Sequence, residues 1–135
     1  MKASFRLQKI ASDLFGFIYR PYADVILYGK HGRPRKVTMI VDTGADYTIL
    51  PRREAALLGI DLSRDCLVHT TYGVGGPQTV YLYQNLEVEL GEQKLTIPVG
   101  FLDKNDVPPL LGRHQCMELF KTCFDQGIVS FETPA

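Results

Sequence analysis

The sequence predicts an all-β fold, a barrel or sandwich of short strands in one domain. Three observations carry that expectation. Runs rich in Val, Ile, Leu and Tyr recur along the chain and are punctuated by Gly, Pro and Asn clusters. Turn-forming segments separate these runs at short intervals, as in antiparallel sheets. A chain of 135 residues, 45% apolar and 22% charged, has the length and composition of one ordinary globular core.

Residues 4–15 fit either a short helix or a frayed strand, and residues 1–16 are read as an N-terminal extension of a main domain at 17–135. Tyr22 to Tyr28 and Lys36 to Val41 read as strands around a basic, turn-forming loop at residues 29–35. Residues 52–59 read as a short helix that Gly59 stops. Leu67 to Thr71 and Thr79 to Tyr83 are strands flanking a glycine-rich turn. Leu86 to Leu90 and Leu95 to Phe101 are joined at Gly91-Glu92-Gln93. Residues 103–109 form a polar loop, residues 113–121 a short C-terminal helix, and Ile128 to Phe131 a last strand.

Charge and cysteine usage exclude several classes. Fifteen basic residues balance fifteen acidic ones, so no nucleic-acid partner is expected. No apolar run approaches the ~18 residues of a membrane span, so no membrane partner is expected. Lys2, Arg6, Lys9 and Asp13 interrupt any secretory leader, and three sparse cysteines fit reduced thiols, so a cytoplasmic location is expected. Cys66-x-x-His69 and His114-x-Cys116 have no second pair to complete a metal set; neither metal nor organic cofactor is expected.

The chemistry centres on Asp42-Thr43-Gly44. The tripeptide alone is weak, since an Asp-capped turn has the same composition. Its context is informative: the apolar strand Met39-Ile40-Val41 runs into it, Gly44 permits a tight turn, and the Thr43 hydroxyl can brace a loop that presents one carboxylate. Aspartic proteolysis needs two carboxylates sharing a proton, one acting as base on water and one polarising the scissile carbonyl. No second Asp-Thr/Ser-Gly occurs. A two-fold axis beside Asp42 would supply the second carboxylate from a homodimeric partner.

Four segments together resemble the retropepsins, the retroviral-type aspartic proteases and their cellular relatives, over roughly residues 20–131. Ile40 to Leu50 is similar to the catalytic loop, including Ala45-Asp46 after the triplet. Tyr72-Gly73-Val74-Gly75-Gly76 resembles the flap, with Val74 as its apolar tip. Leu110-Leu111-Gly112-Arg113 resembles the segment before the family's helix, and Arg20-Pro21 an Arg-Pro of similar placement upstream of the first strand. The resemblance implies a closed, acid-protease barrel with one short C-terminal helix, assembled as a homodimer. The implied activity is endopeptidase cleavage of an extended peptide or protein substrate under two flaps.

It further implies catalytic roles for Asp42, Thr43 and Gly44, and substrate contacts at Ala45, Asp46, Tyr47, Tyr72, Gly73, Val74, Gly75 and Gly76. Asp46 is expected to bind Arg113 of its own subunit and Arg20 of the partner. The strand at Ile128–Phe131 is expected to build the interface, joined by the segment near Phe15–Tyr19. Departures are evident too. Tyr47 stands where retroviral members often carry an acid, Pro77 would stiffen one flap arm, the loop at 29–35 is longer, and residues 1–16 have no counterpart. The chain starts at Met1 and reads as a free-standing, cellular member. A non-catalytic peptide-binding or scaffold dimer on the same fold is the alternative.

Overall fold

The computed structural model describes residues 1–134. The chain is mostly strand. In order these are β1 (Lys2–Arg6), β2 (Gln8–Ser12), β3 (Gly16–Arg20), β4 (Tyr22–Tyr28), β5 (Pro34–Val41) and β6 (Thr48–Pro51). After two short helices, α1 (Arg53–Leu57) and α2 (Leu62–Asp65), come β7 (Leu67–Gly73), β8 (Gly76–Leu90), β9 (Gln93–Leu102), β10 (Leu110–Leu111), β11 (Lys121–Asp125) and β12 (Ile128–Glu132).

The principal sheet runs β4-β5-β10-β6-β9-β8-β7, and β4 also pairs with β8, Val25 opposite Leu90. The strands alternate as expected for one apolar face: every second residue of β4 is buried, placing Ala23, Val25 and Leu27 inside. Met39, Val41, Leu50, Leu86, Val88, Ile97, Val99, Phe101 and Leu111 complete this core.

The expected strands Thr79–Tyr83 and Leu86–Leu90 are one strand, β8. Its pairing with β9 slips between Tyr83 and Leu86, so a bulge at Gln84-Asn85 takes up one extra residue without ending the strand. Helix α1 ends as the sequence foretells. Gly59 takes φ +69°, its N–H donates to the Ala56 carbonyl, and the Ile60 N–H donates to Ala55. Helix α2 escapes a periodicity argument because it has four residues. Its signal is a cap, the Asp61 carboxylate accepting from the Ser63 and Arg64 N–H groups.

The expected C-terminal helix at 113–121 is corrected to one 3-10 turn, Met117–Leu119. Gln115 adopts φ +53°, which a helix cannot propagate through, and Cys116, Met117 and Phe120 turn into the core. The chain then re-enters sheet as β11. A second sheet, β1-β12-β11, packs Phe131 edge-on against Phe5 and Phe120, with ring centroids 6.2 and 6.1 Å apart.

This sheet settles the open reading of residues 4–15 as strand: β1 pairs with β12 from Lys2↔Glu132 to Arg6↔Ile128, and the division at residue 16 falls at the turn between β2 and β3. Ile128–Phe131 lies within the middle strand of this sheet. β12 lies between β1 and β11 and has no free edge with which to pair a second chain. Among the described residues, no helix is long and apolar enough to cross a membrane.

Candidate active site

Strand β5 carries the chain to Val41 and ends there, and the next residues form a loop held from three sides. Val41 N–H donates to the Pro21 carbonyl at 2.8 Å, and Asp42 N–H to the Leu111 carbonyl at 3.0 Å. The loop then closes on itself: Ala45 N–H reaches the Asp42 carbonyl at 3.1 Å, and the Asp42 carboxylate accepts from Gly44 N–H at 2.9 Å. That last bond fixes the carboxylate's direction. Asp42 is half-buried, while Thr43 and Gly44 are exposed at the tip. A Cβ on Gly44 would sit 3.3 Å from the Asp42 carboxylate oxygen, so a larger residue there would crowd the acid.

Beneath the loop passes the segment after β10. Gly112 is buried and its N–H donates to the Thr48 hydroxyl at 3.1 Å. Arg113 and His114 then donate their N–H groups to the Ala45 and Asp46 carbonyls at 3.0 and 2.7 Å. The Arg113 guanidinium binds the Asp46 carboxylate at 2.9 Å and lies 3.9 Å from Glu118. This brings Arg113 and Asp46 together within the chain. Asp46 is 81% exposed, so the pair contributes at most about 1 kcal/mol. Arg20 is exposed at the end of β3, and among the described residues no ion pair reaches it.

Tyr72 to Gly76 lie at the end of the β7–β8 hairpin. Tyr72 pairs with Pro77 and Gly73 with Gly76, leaving Val74-Gly75 as a two-residue tip. Gly76 takes φ +93°, a conformation glycine adopts freely. Tyr72 and Val74 are fully solvated. A two-stranded ribbon with an apolar, uncovered tip has the form of a lid.

Tyr47 occupies a different environment from its neighbours in the loop. Its half-buried hydroxyl is pushed above the usual tyrosine value by burial, with the Asp46 carboxylate adding to the effect. It lines a cleft of about 430 Å³ together with His69, Val80, Leu82, His114 and Gln115. His69 and His114, which the sequence offers only as members of an incomplete metal set, meet at this cleft. One lies on a lid strand and the other 45 positions later, and only the folding of β7–β8 against the loop after β10 joins them. Thr48 was missed. Its buried hydroxyl, which accepts from Gly112, leaves no mark in a periodicity reading.

A family model described as aspartyl protease matches residues 28–114, which include the Asp42 loop, the β7–β8 hairpin and Gly112-Arg113. No curated protein sequence matches the chain. Among solved structures, the chain is similar to a retropepsin-like aspartic protease from Rickettsia conorii. The TM-score is 0.67 at 20% identity, over 96% of this chain and 98% of the other. The fold is therefore retropepsin-like, and with its family match spanning most of its length, this chain belongs to the aspartyl protease family.

Proposed function

We propose that the chain is an aspartic endopeptidase that works as a homodimer, with Asp42 and its symmetry mate as the catalytic pair. One observation carries the reading: a half-buried carboxylate, aimed by the Gly44 N–H, on a loop tied to β10 and to Pro21. Such anchoring holds an acid in place without consuming it in an ion pair. The circuit of pairings from β4 through β10 back to β4 supports a closed barrel as its base.

In the dimer the two carboxylates hold one proton between them. The charged one removes a proton from water, and the water oxygen attacks the scissile carbonyl carbon. The protonated one donates to the carbonyl oxygen. As the tetrahedral intermediate collapses, the C–N bond breaks and the amine leaves with a proton. An extended peptide would lie under Tyr72–Gly76, excluded from water by the lid, with a side chain entering the cleft at Tyr47. Asp46, bound by Arg113, would be met from the partner by Arg20, whose planar fork suits a carboxylate.

The test is incubation of the purified chain with a diverse peptide library at several pH values, read by mass spectrometry, beside Asp42→Asn. Wild type should cleave internal bonds, and Asp42→Asn should fold normally yet lose at least about a thousandfold in rate. Equal cleavage by the two proteins would overturn the assignment.

A further inference from the structure

The strands β2 and β3 pair only with each other, as a two-stranded sheet apart from both larger ones. A hairpin of this kind is marginal in water unless something covers it. Its side chains make the problem acute. Residues opposite in the register share a face, so Ile10 and Ile18 stand on one side, and Lys9 with Tyr19 and Ala11 with Phe17 on the other. The turn adds Leu14 and Phe15. Leu14 is 86% exposed, Phe15 75%, Tyr19 62% and Phe17 58%. The Lys9 ammonium, 3.9 Å above the Phe17 ring, covers a fraction of this surface. Isolated exposed apolar residues are common; four adjoining large ones on an unsupported ribbon mark an interaction site.

The root of the ribbon identifies the occupant. Arg20 ends β3, and the next residue, Pro21, accepts the Val41 N–H at 2.8 Å, one residue before Asp42. The arm therefore leaves the protein beside the candidate catalytic loop. A subunit with one such loop is half a site, and the second half has to arrive at this edge. Charge agrees: the root carries an exposed Arg20 with no ion pair among the described residues, and the adjacent loop an Asp46 carboxylate that is 81% exposed. The C-terminal strand β12, paired on both sides, leaves the task to another element.

We propose that residues 8–20 form a docking arm for a second copy of this chain. Each arm lays Leu14, Phe15, Phe17 and Tyr19 on its partner about a two-fold axis close to Asp42. Symmetry makes the contact reciprocal, so the area covered is doubled. The inference rests on the protease reading only for the need of a second Asp42, and the arm itself is judged by assembly and hydrogen exchange.

Sedimentation velocity over a range of concentrations compares wild type, Phe15→Ser/Phe17→Ser and Leu14→Ser. Hydrogen exchange of wild type is followed at high and low concentration. Wild type should dimerise, and the double variant should raise the dissociation constant at least about thirtyfold. Amides of residues 8–20 should exchange more slowly as wild type is concentrated. If the double variant fails to fold by circular dichroism, Leu14→Ser and the exchange data decide, because Leu14 is too exposed to support the fold. Dimers of unchanged affinity in both variants, with arm amides unprotected, would overturn the proposal. So would a wild type that stays monomeric throughout, which would assign the arm to a different protein. An arm-dependent dimer that cleaves no peptide would sink the protease reading alone, and an active, arm-independent dimer the arm alone.

Discussion

Gly112→Ala tests the link between the framework and the candidate site. A Cβ on Gly112 would lie 2.7 Å from the Thr48 nitrogen and closer still to the Tyr47 carbonyl group, all of it backbone. Ordinary contact begins near 3.4 Å, so clearing the Tyr47 carbonyl group requires one strand to retreat by more than about 1 Å. No flexible side chain is available to absorb this. The buried bond from Gly112 N–H to the Thr48 hydroxyl would stretch at the same time. Overpacking against backbone costs about 1–3 kcal/mol and the impaired buried bond about 1 kcal/mol more. We expect a total loss of about 2–4 kcal/mol, or a fall in Tm of about 10 °C for a domain of this size. The retreat also shifts the loop that begins at Asp42, and a displacement near 1 Å can lower a catalysed rate about a hundredfold. Urea unfolding gives the first number and kcat on a cleaved peptide the second. Gly73→Ala is the control: a Cβ there meets nothing within 4 Å, so stability should stay within about 0.5 kcal/mol of wild type. A Gly112→Ala protein as stable and as active as wild type would refute the reasoning.

Three further outcomes are expected. Arg35 grips the buried Glu54 carboxylate with two bonds of 2.7 and 2.9 Å, so Arg35→Ala should cost about 2–3 kcal/mol in urea unfolding. This is below the cost at a fully buried pair because Arg35 is 38% exposed; Arg35→Lys should recover part of it. Burial pushes the Cys116 thiol up to about 11, leaving it protonated at pH 8. In timed alkylation with iodoacetamide under native conditions, Cys116 should therefore react last, after the half-buried Cys66 and Cys123, and equal rates would count against the packing around it. The Ser63 hydroxyl and the Arg64 N–H hold the Asp61 carboxyl at about 2, below its ordinary 3.8. Its folded value is depressed, so its contribution is complete above pH 3.8 and lost as pH falls toward 2. Asp61→Asn should flatten the stability curve between those values, and an unchanged acid limb in a pH series of unfolding midpoints would speak against the cap.

The sequence alone determined what depends on neighbours along the chain. The turn at Asp42-Thr43-Gly44 follows from an apolar strand that meets a small, flexible residue. The α1 stop follows from Gly59, whose left-handed φ other residues resist, and the lid hairpin from glycines that bracket a two-residue tip. Interactions between residues close in sequence need little chain closure, so residue type predicts them well.

Tertiary structure decided the rest. The pattern at 113–121 has helical spacing, yet Cys116, Met117 and Phe120 are worth more in the core than in a solvent-exposed helix, and Gln115 takes a left-handed turn to put them there. The identity of β1 as a strand depended on β12, more than a hundred residues away, which pairs with it from Lys2 to Arg6. Likewise the cleft at Tyr47 is lined by His69 of β7 and His114 of the segment after β10, which are far apart along the chain. Burial of apolar area is non-directional and acts between whichever surfaces the closed sheet brings together, so these pairings become visible only when the chain has folded.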